Sequence, residues 1–244
     1  MKYKYEDMFP DEFLAAVKAL PVFVIPTGLL EWHGDHLPLG LDALKACALC
    51  ERVMERLGGG VLLPTNYYGR PGFSSYAGTI TFSDGCLTML FQEIFEQLVK
   101  VGAKVIVLFT GHYGPCQVDF IKRIADVFMT EHPEVIVLAL PEYEDVLVDG
   151  ETPADHAGKW ETSVMMYLHP EKVDMARYQR VPNPPKIYPS PPHDYYRESE
   201  DWSFNEDLAA KSSRELGEKS AMAIVDMLAG KIGKALDAIG FIRS

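Results

Sequence analysis

Four short apolar runs rich in β-branched residues, at 22–27, 61–65, 105–110 and 135–141, are separated by stretches long enough for helices. Such continuous runs suit strands covered on both faces, as in a parallel sheet. Residues 43–57 and 84–101 repeat apolar side chains at helical spacing, the second after a Ser83-Asp84 cap, and 117–130 and 205–228 read the same way. Strands alternating with helices predict βαβ units, right-handed crossovers and ligands beyond the strands' carboxyl ends. The expected fold is α/β: a single-domain layered fold over residues 1–244, with a mainly parallel central sheet flanked by helices.

That rule gives meaning to the polar groups at strand ends. The stretch 31–42, EWHGDHLPLGLD, crowds Glu31, His33, Asp35, His36 and Asp42 just past the first run. Groups that lose much by leaving water crowd a strand end when something compensates them, and a divalent cation does so efficiently. Were the segment extended, Glu31 and His33 would share one face, roughly 7 Å apart. Taken singly, each residue has a plainer reading. Glu31 reads as a solvated loop acid, and Asp42 as the N-cap of the following helix. The cluster is what the plain readings fail to cover.

Two later segments add to it. His112 lies in Gly111-His112-Tyr113-Gly114 directly after the third run, where glycines let backbone approach a ligand closely. The segment DHAGKWETS supplies Asp155, His156 and Glu161, the last in the first turn of an expected helix, where a carboxylate also suits the helix dipole. Carboxylates and imidazoles without thiolates suit zinc, manganese or iron in an open catalytic site.

Composition excludes other classes. A formal net charge of -12 argues against a nucleic-acid or anionic-membrane surface. No apolar run approaches the ~20 residues that span a bilayer, and the N-terminus lacks the apolar core of a signal peptide, so the expected location is cytoplasmic. Cys47 and Cys50 form a CxxC inside a helical pattern with no second pair, which reads as buried small residues rather than a metal or redox site. Residues 181–202, rich in proline and aromatics, read as an extended docked segment that walls a pocket or seals a subunit contact.

Together these motifs resemble the creatininase (creatinine amidohydrolase) family. That family carries Glu-x-His-Gly-x-His-Leu-Pro with an Asp eleven residues after the Glu, met here by Glu31, His33, His36 and Asp42. It also carries a Gly-Thr loop (Gly78-Thr79), a strand-end Gly-His (Gly111-His112) and His-Ala-Gly-x-x-Glu-Thr-Ser (His156 through Ser163). The resemblance runs from about residue 20 to 230, in family order. It implies a homo-oligomer, hexameric by family habit, acting on a small-molecule amide, with two divalent metal ions: zinc first, manganese or iron as alternatives. One ion would be held by Glu31, Asp42 and His112, the other by His33, Asp42 and Glu161, with Asp42 bridging. His156 would transfer the proton, and Tyr113, Gly78, Thr79 and Trp160 would face substrate. The implied reaction is cleavage of an amide-type C–N bond, of the non-peptide or cyclic kind, by a hydroxide that bridges the two ions.

The surroundings depart from the family pattern. Leu29, Trp32 and Pro115 replace residues usual there, and Gly114 stands where creatinine-cleaving members carry an acidic side chain. These departures point away from creatinine itself; other branches of the family act on formamide-type intermediates or on peptides, and the sequence does not choose among them. A non-catalytic metal-binding scaffold is the alternative from a different class. A two-metal phosphohydrolase is disfavoured because no basic cluster lies near the candidate ligands.

Overall fold

The computed structural model describes residues 2–178, 185–188 and 206–242. Four parallel strands, β1 (Val22–Thr27), β2 (Val61–Leu62), β3 (Val105–Thr110) and β4 (Ile136–Pro141), form one sheet in the order β2-β1-β3-β4. Side chains alternate across a strand, so each run feeds two cores. Val22, Val24, Val105 and Val107 pack under α2 (Leu41–Leu57) and α7 (Arg214–Ala238). Phe23, Ile25, Ile106 and Leu108 pack under α3 (Asp84–Lys100) and α4 (Pro115–Glu131). The layered α/β fold read from the sequence is what the chain adopts.

Several boundaries differ, each for a local reason. The second strand stops at Leu62 rather than running to residue 65: Leu63 N–H still donates to Val24 O, but the next bond to β1 comes from Asn66 N–H to Pro26 O, one residue out of step, and pairing resumes as a bridge between Thr27 and Asn66. The N-terminal helix α1 (Pro10–Ala19) was not read from the sequence; Pro10 opens it and the Glu12 carboxylate accepts from Phe9 N–H at 2.9 Å. The C-terminal helix breaks in two, α6 (Leu208–Lys211) and α7, where Ser213 turns out of the helix and its hydroxyl accepts from Leu216 N–H. Asp42 is not an N-cap: Gly40 precedes α2, and Asp42 sits within its first turn.

Register positions the site. Thr27, Thr110 and Pro141 align across β1, β3 and β4, so the loops after these strands leave the same edge. The chain leaves β1 toward β2 on one side, while β3 lies on the other. That gap between β1 and β3 is the switch point where such sheets bind ligands. Missing side chains allow tight approach there: a Cβ on Gly111 would come within 2.2 Å of Asp42 O, so only glycine lets β3 end against α2.

Helix α5 (Lys159–Leu168) is pressed against α7 by the same device, since a Cβ on Gly217 would meet Ser163 O at 1.8 Å. We expect Gly217→Ala to force the two helices apart at a cost of about 3 kcal/mol, lowering Tm by roughly 6–12 °C. A calorimetric scan showing no change would mean that the helices separate freely. Among the described residues, no helix is long and apolar enough to cross a membrane.

Of the proline-rich stretch, residues 185–188 are described. Ile187 and Tyr188 N–H both donate to Ser75 O, at 3.0 and 3.1 Å, so this part is docked on the 70–80 loop. The rest of that stretch, with Tyr195, Tyr196 and Trp202, lies outside the described residues.

Candidate metal centre

The loop after β1 carries Glu31 and His33, the first turn of α2 carries Asp42, the loop after β3 carries His112, and the first turn of α5 carries Glu161. All five side chains are buried. Residues 31–33 belong to no strand, and there His33 Nδ1 meets Glu31 O at 3.0 Å. A carbonyl oxygen can only accept, so that contact places a proton on Nδ1 and leaves Nε2 aimed into the cluster.

There, His33 Nε2 lies 3.1 Å from Asp42 Oδ1, 3.6 Å from Glu161 Oε2 and 3.9 Å from Glu31 Oε2. His112 Nδ1 lies 3.1 Å from Glu31 Oε2 and 3.3 Å from Asp42 Oδ2. Two triplets of potential ligand atoms, Glu31-Asp42-His112 and His33-Asp42-Glu161, each close within 4.8 Å, with one Asp42 oxygen facing each imidazole. A further triplet, Glu31, His33 and His156, also closes within that distance.

Electrostatics tests whether cations fit. Burial pulls His33 down, but Asp42, Glu161 and Glu31 outweigh it and lift its pKa to about 9. His112 is likewise raised well above the usual value against its own burial, chiefly by Glu31 and Asp42. Burial pushes Asp42 up, yet His33 and His112 hold it below the usual carboxylate range. The carboxylates thus draw positive charge into a dry site, here as protons on imidazoles. Asp42 Oδ2 and His33 Nε2 nevertheless make no well-formed hydrogen bond among the described residues. Atoms that converge on a point without bonding one another, drawn from carboxylate and imidazole, fit divalent metal.

The groups that surround Glu161 were missed in the sequence. Lys45, fully buried one turn after Asp42, reaches Glu142 Oε1 at 2.8 Å and Glu161 Oε1 at 2.9 Å. Burial pulls the Lys45 ammonium down, but Glu142 and Glu161 more than offset it and raise its pKa. The Tyr113 hydroxyl sits 2.9 Å from Glu161 Oε1 and 2.7 Å from Asp155 O. Ala157 N–H donates to Glu161 Oε2 at 2.7 Å, from a backbone turned to a φ of 51°. A non-glycine residue in that region is uncommon and persists where its surroundings enforce it.

Other residues singled out by the sequence fall in varied places. His156 lies on the cavity wall, stacked on Phe73 with ring centres 4.0 Å apart, its Nδ1 3.9 Å from Glu31 Oε2. Burial, with His33 adding to it, lowers its pKa to about 3, so the ring is neutral. Asp155 accepts from Trp160 and Glu161 N–H at the start of α5. Tyr113 lines the cavity. Gly78, Thr79 and Trp160 do not: the Thr79 hydroxyl accepts from Trp32 N–H and pins the Glu31 loop, while Trp160 packs in the main core. His36 Nε2 bonds Thr162 Oγ1 at 3.1 Å and braces α5 against the loop.

The cavity holds about 370 Å³, between the cluster and a wall of Phe73, Tyr113, Tyr143 and Pro115. Gly72 makes Glu31 fit there, since a Cβ would come within 1.5 Å of Glu31 Oε1. That oxygen instead accepts from Phe73 N–H at 2.7 Å.

The fold and the cluster define an α/β protein equipped to hold divalent metal at its sheet switch point. Comparison narrows this further. The family model described as "Creatininase: Creatinine amidohydrolase" matches residues 6–232, and the chain belongs to that family. Creatinine amidohydrolase of Pseudomonas putida is 30% identical over 195 residues, which cover 72% of this chain and 73% of the relative. The mycofactocin precursor peptide peptidase of Mycobacterium tuberculosis is 31% identical over 177 residues, covering 67% of this chain and 66% of that one. The solved structure "Creatininase Mn" superposes with a TM-score of 0.79 at 27% identity, over 96% of this chain and 98% of its own. A crystal structure of creatinine amidohydrolase gives 0.76 at 27% identity, over 95% and 96%.

Proposed function

We propose that this protein is a metal-dependent amidohydrolase. The observation that carries the reading is the pair of ligand triplets sharing Asp42. Glu31, Asp42 and His112 would hold one divalent ion, and His33, Asp42 and Glu161 a second. Zinc is the first candidate on ligand type; manganese is supported by the "Creatininase Mn" neighbour, and iron suits the same donors. When bound, such ions supply a water of lowered pKa and polarise a carbonyl for attack.

The chain's own residues do the remainder. The Nδ1–H···O bond of His33 to Glu31 O fixes its tautomer, and Phe73 N–H fixes the rotation of Glu31. The Phe73, Tyr113 and Tyr143 walls keep bulk water from the buried charges. His156, neutral and on the wall, takes a proton during attack and delivers it to the departing nitrogen, which cannot leave as an anion near neutral pH.

Two observations bear on substrate. A cavity of about 370 Å³ falls within the range of roughly 300–1,000 Å³ that accepts drug-sized ligands, more room than a small ring needs. Gly114 also leaves the position beside His112 without a side-chain carboxylate. Both favour a larger amide, including a peptide, over creatinine, in keeping with the peptidase relative. The test is hydrolysis of lactams, formamides and short peptides before and after chelation. Turnover lost on chelation and restored by zinc or manganese is expected. Stoichiometric metal with no turnover across the panel would leave a binding scaffold as the better reading.

A further inference from the structure

Among the described residues Lys45 is the one lysine shielded completely from solvent, and the mechanism above gives its charge no task. An apolar side chain would fill the same place on α2 without the loss of hydration that an ammonium suffers. Its surroundings show what the charge accomplishes. Glu161 Oε1 lies 2.9 Å from both Lys45 Nζ and the Tyr113 hydroxyl, so that oxygen is taken up on the side away from the cluster. The other oxygen, Oε2, accepts from Ala157 N–H and faces His33 Nε2 at 3.6 Å. Glu142 holds the opposite side of the ammonium at 2.8 Å, and its own Oε2 has no hydrogen-bond partner among the described residues. The ammonium also lies 4.8 Å over the Tyr113 ring, which packs it from a third side.

We propose that Lys45, anchored by Glu142, is a positioning residue that restricts Glu161 to one inward-facing oxygen and thereby sets the affinity of the His33-Asp42-Glu161 site. This rests on the metal reading given above. In the other triplet neither Glu31 nor His112 forms an ion pair with Lys45, and Asp42, shared by both triplets, interacts with it only through charge, so the orienting effect falls on the site that holds Glu161. The sign discriminates. Removing a nearby positive charge by itself tightens cation binding, whereas releasing a ligand from its orienting partner weakens it about 10- to 100-fold.

The experiment is calorimetric titration of metal-free protein with Zn²⁺, comparing the wild type, Lys45→Met and the double variant Lys45→Met/Glu142→Leu. The double variant replaces the whole ion pair by apolar groups and keeps the fold testable if the single variant loses stability. Two binding steps are expected in the wild type. In both variants one step should weaken about 10- to 100-fold while the other stays within about threefold. Two unchanged steps, equal weakening of both, or tightening of either would overturn the proposal. Absence of zinc binding in the wild type would instead remove the metal reading itself.

Discussion

Asp42→Asn is expected to lower hydrolysis about a thousandfold and to leave the purified protein with less than one metal ion per chain. The two Asp42 oxygens face different imidazoles, Oδ1 toward His33 at 3.1 Å and Oδ2 toward His112 at 3.3 Å. An asparagine of the same shape offers one weaker oxygen and one N–H₂ donor, and the donor points at whatever that oxygen had held. Loss of charge stabilisation of about 4 kcal/mol corresponds to that factor in rate. The competing account treats Asp42 as an acid in the first turn of α2, favoured by the helix dipole. It predicts a stability change of about 1 kcal/mol or less and full activity. Elemental analysis beside a thermal melt separates the two, and full activity with full metal content would end the shared-carboxylate reading.

The second large effect is expected at His156. Replacing it by alanine should reduce turnover about 10²- to 10⁴-fold, the usual range for losing a positioned proton carrier, while metal content stays unchanged. The ring is stacked on Phe73 and faces the cavity, so its removal opens space that added imidazole can enter. Partial recovery with imidazole would support proton transfer. Because His156 also closes a triplet with Glu31 and His33, the metal measurement is informative in its own right. Loss of an ion from His156→Ala would make it a ligand, and unchanged turnover would remove it from the reaction.

What could be read from the sequence follows from how much each feature depends on distant contacts. The strands were visible because β1 and β3 are covered on both faces and are therefore apolar throughout. The carboxylates and imidazoles were visible because each lies just beyond an apolar run, where solvated loops have no need of such a cluster. Lys45 was hidden in part, although Leu41 and Leu49, four residues to either side, mark it as lying on the buried stripe of α2. Glu142 carried a similar signal, directly after β4 at the same sheet edge. Nothing local could reveal Gly72, whose role depends on Glu31 reaching it from another loop. Trp160 misled for a geometric reason: adjacent to Glu161 on α5, it points about 100° around the helix, into the core.

The side chains that converge at the switch point come from segments spread between residues 31 and 161. An ion shared by them would act as a cross-link across most of the chain, available to the native state and absent from the unfolded one. Thermodynamic linkage then couples occupancy to folding: free metal at a hundred times its dissociation constant adds about 2.7 kcal/mol per site. Metal supply in the cell would in that way govern how long the polypeptide survives proteolysis, as well as whether it turns over substrate.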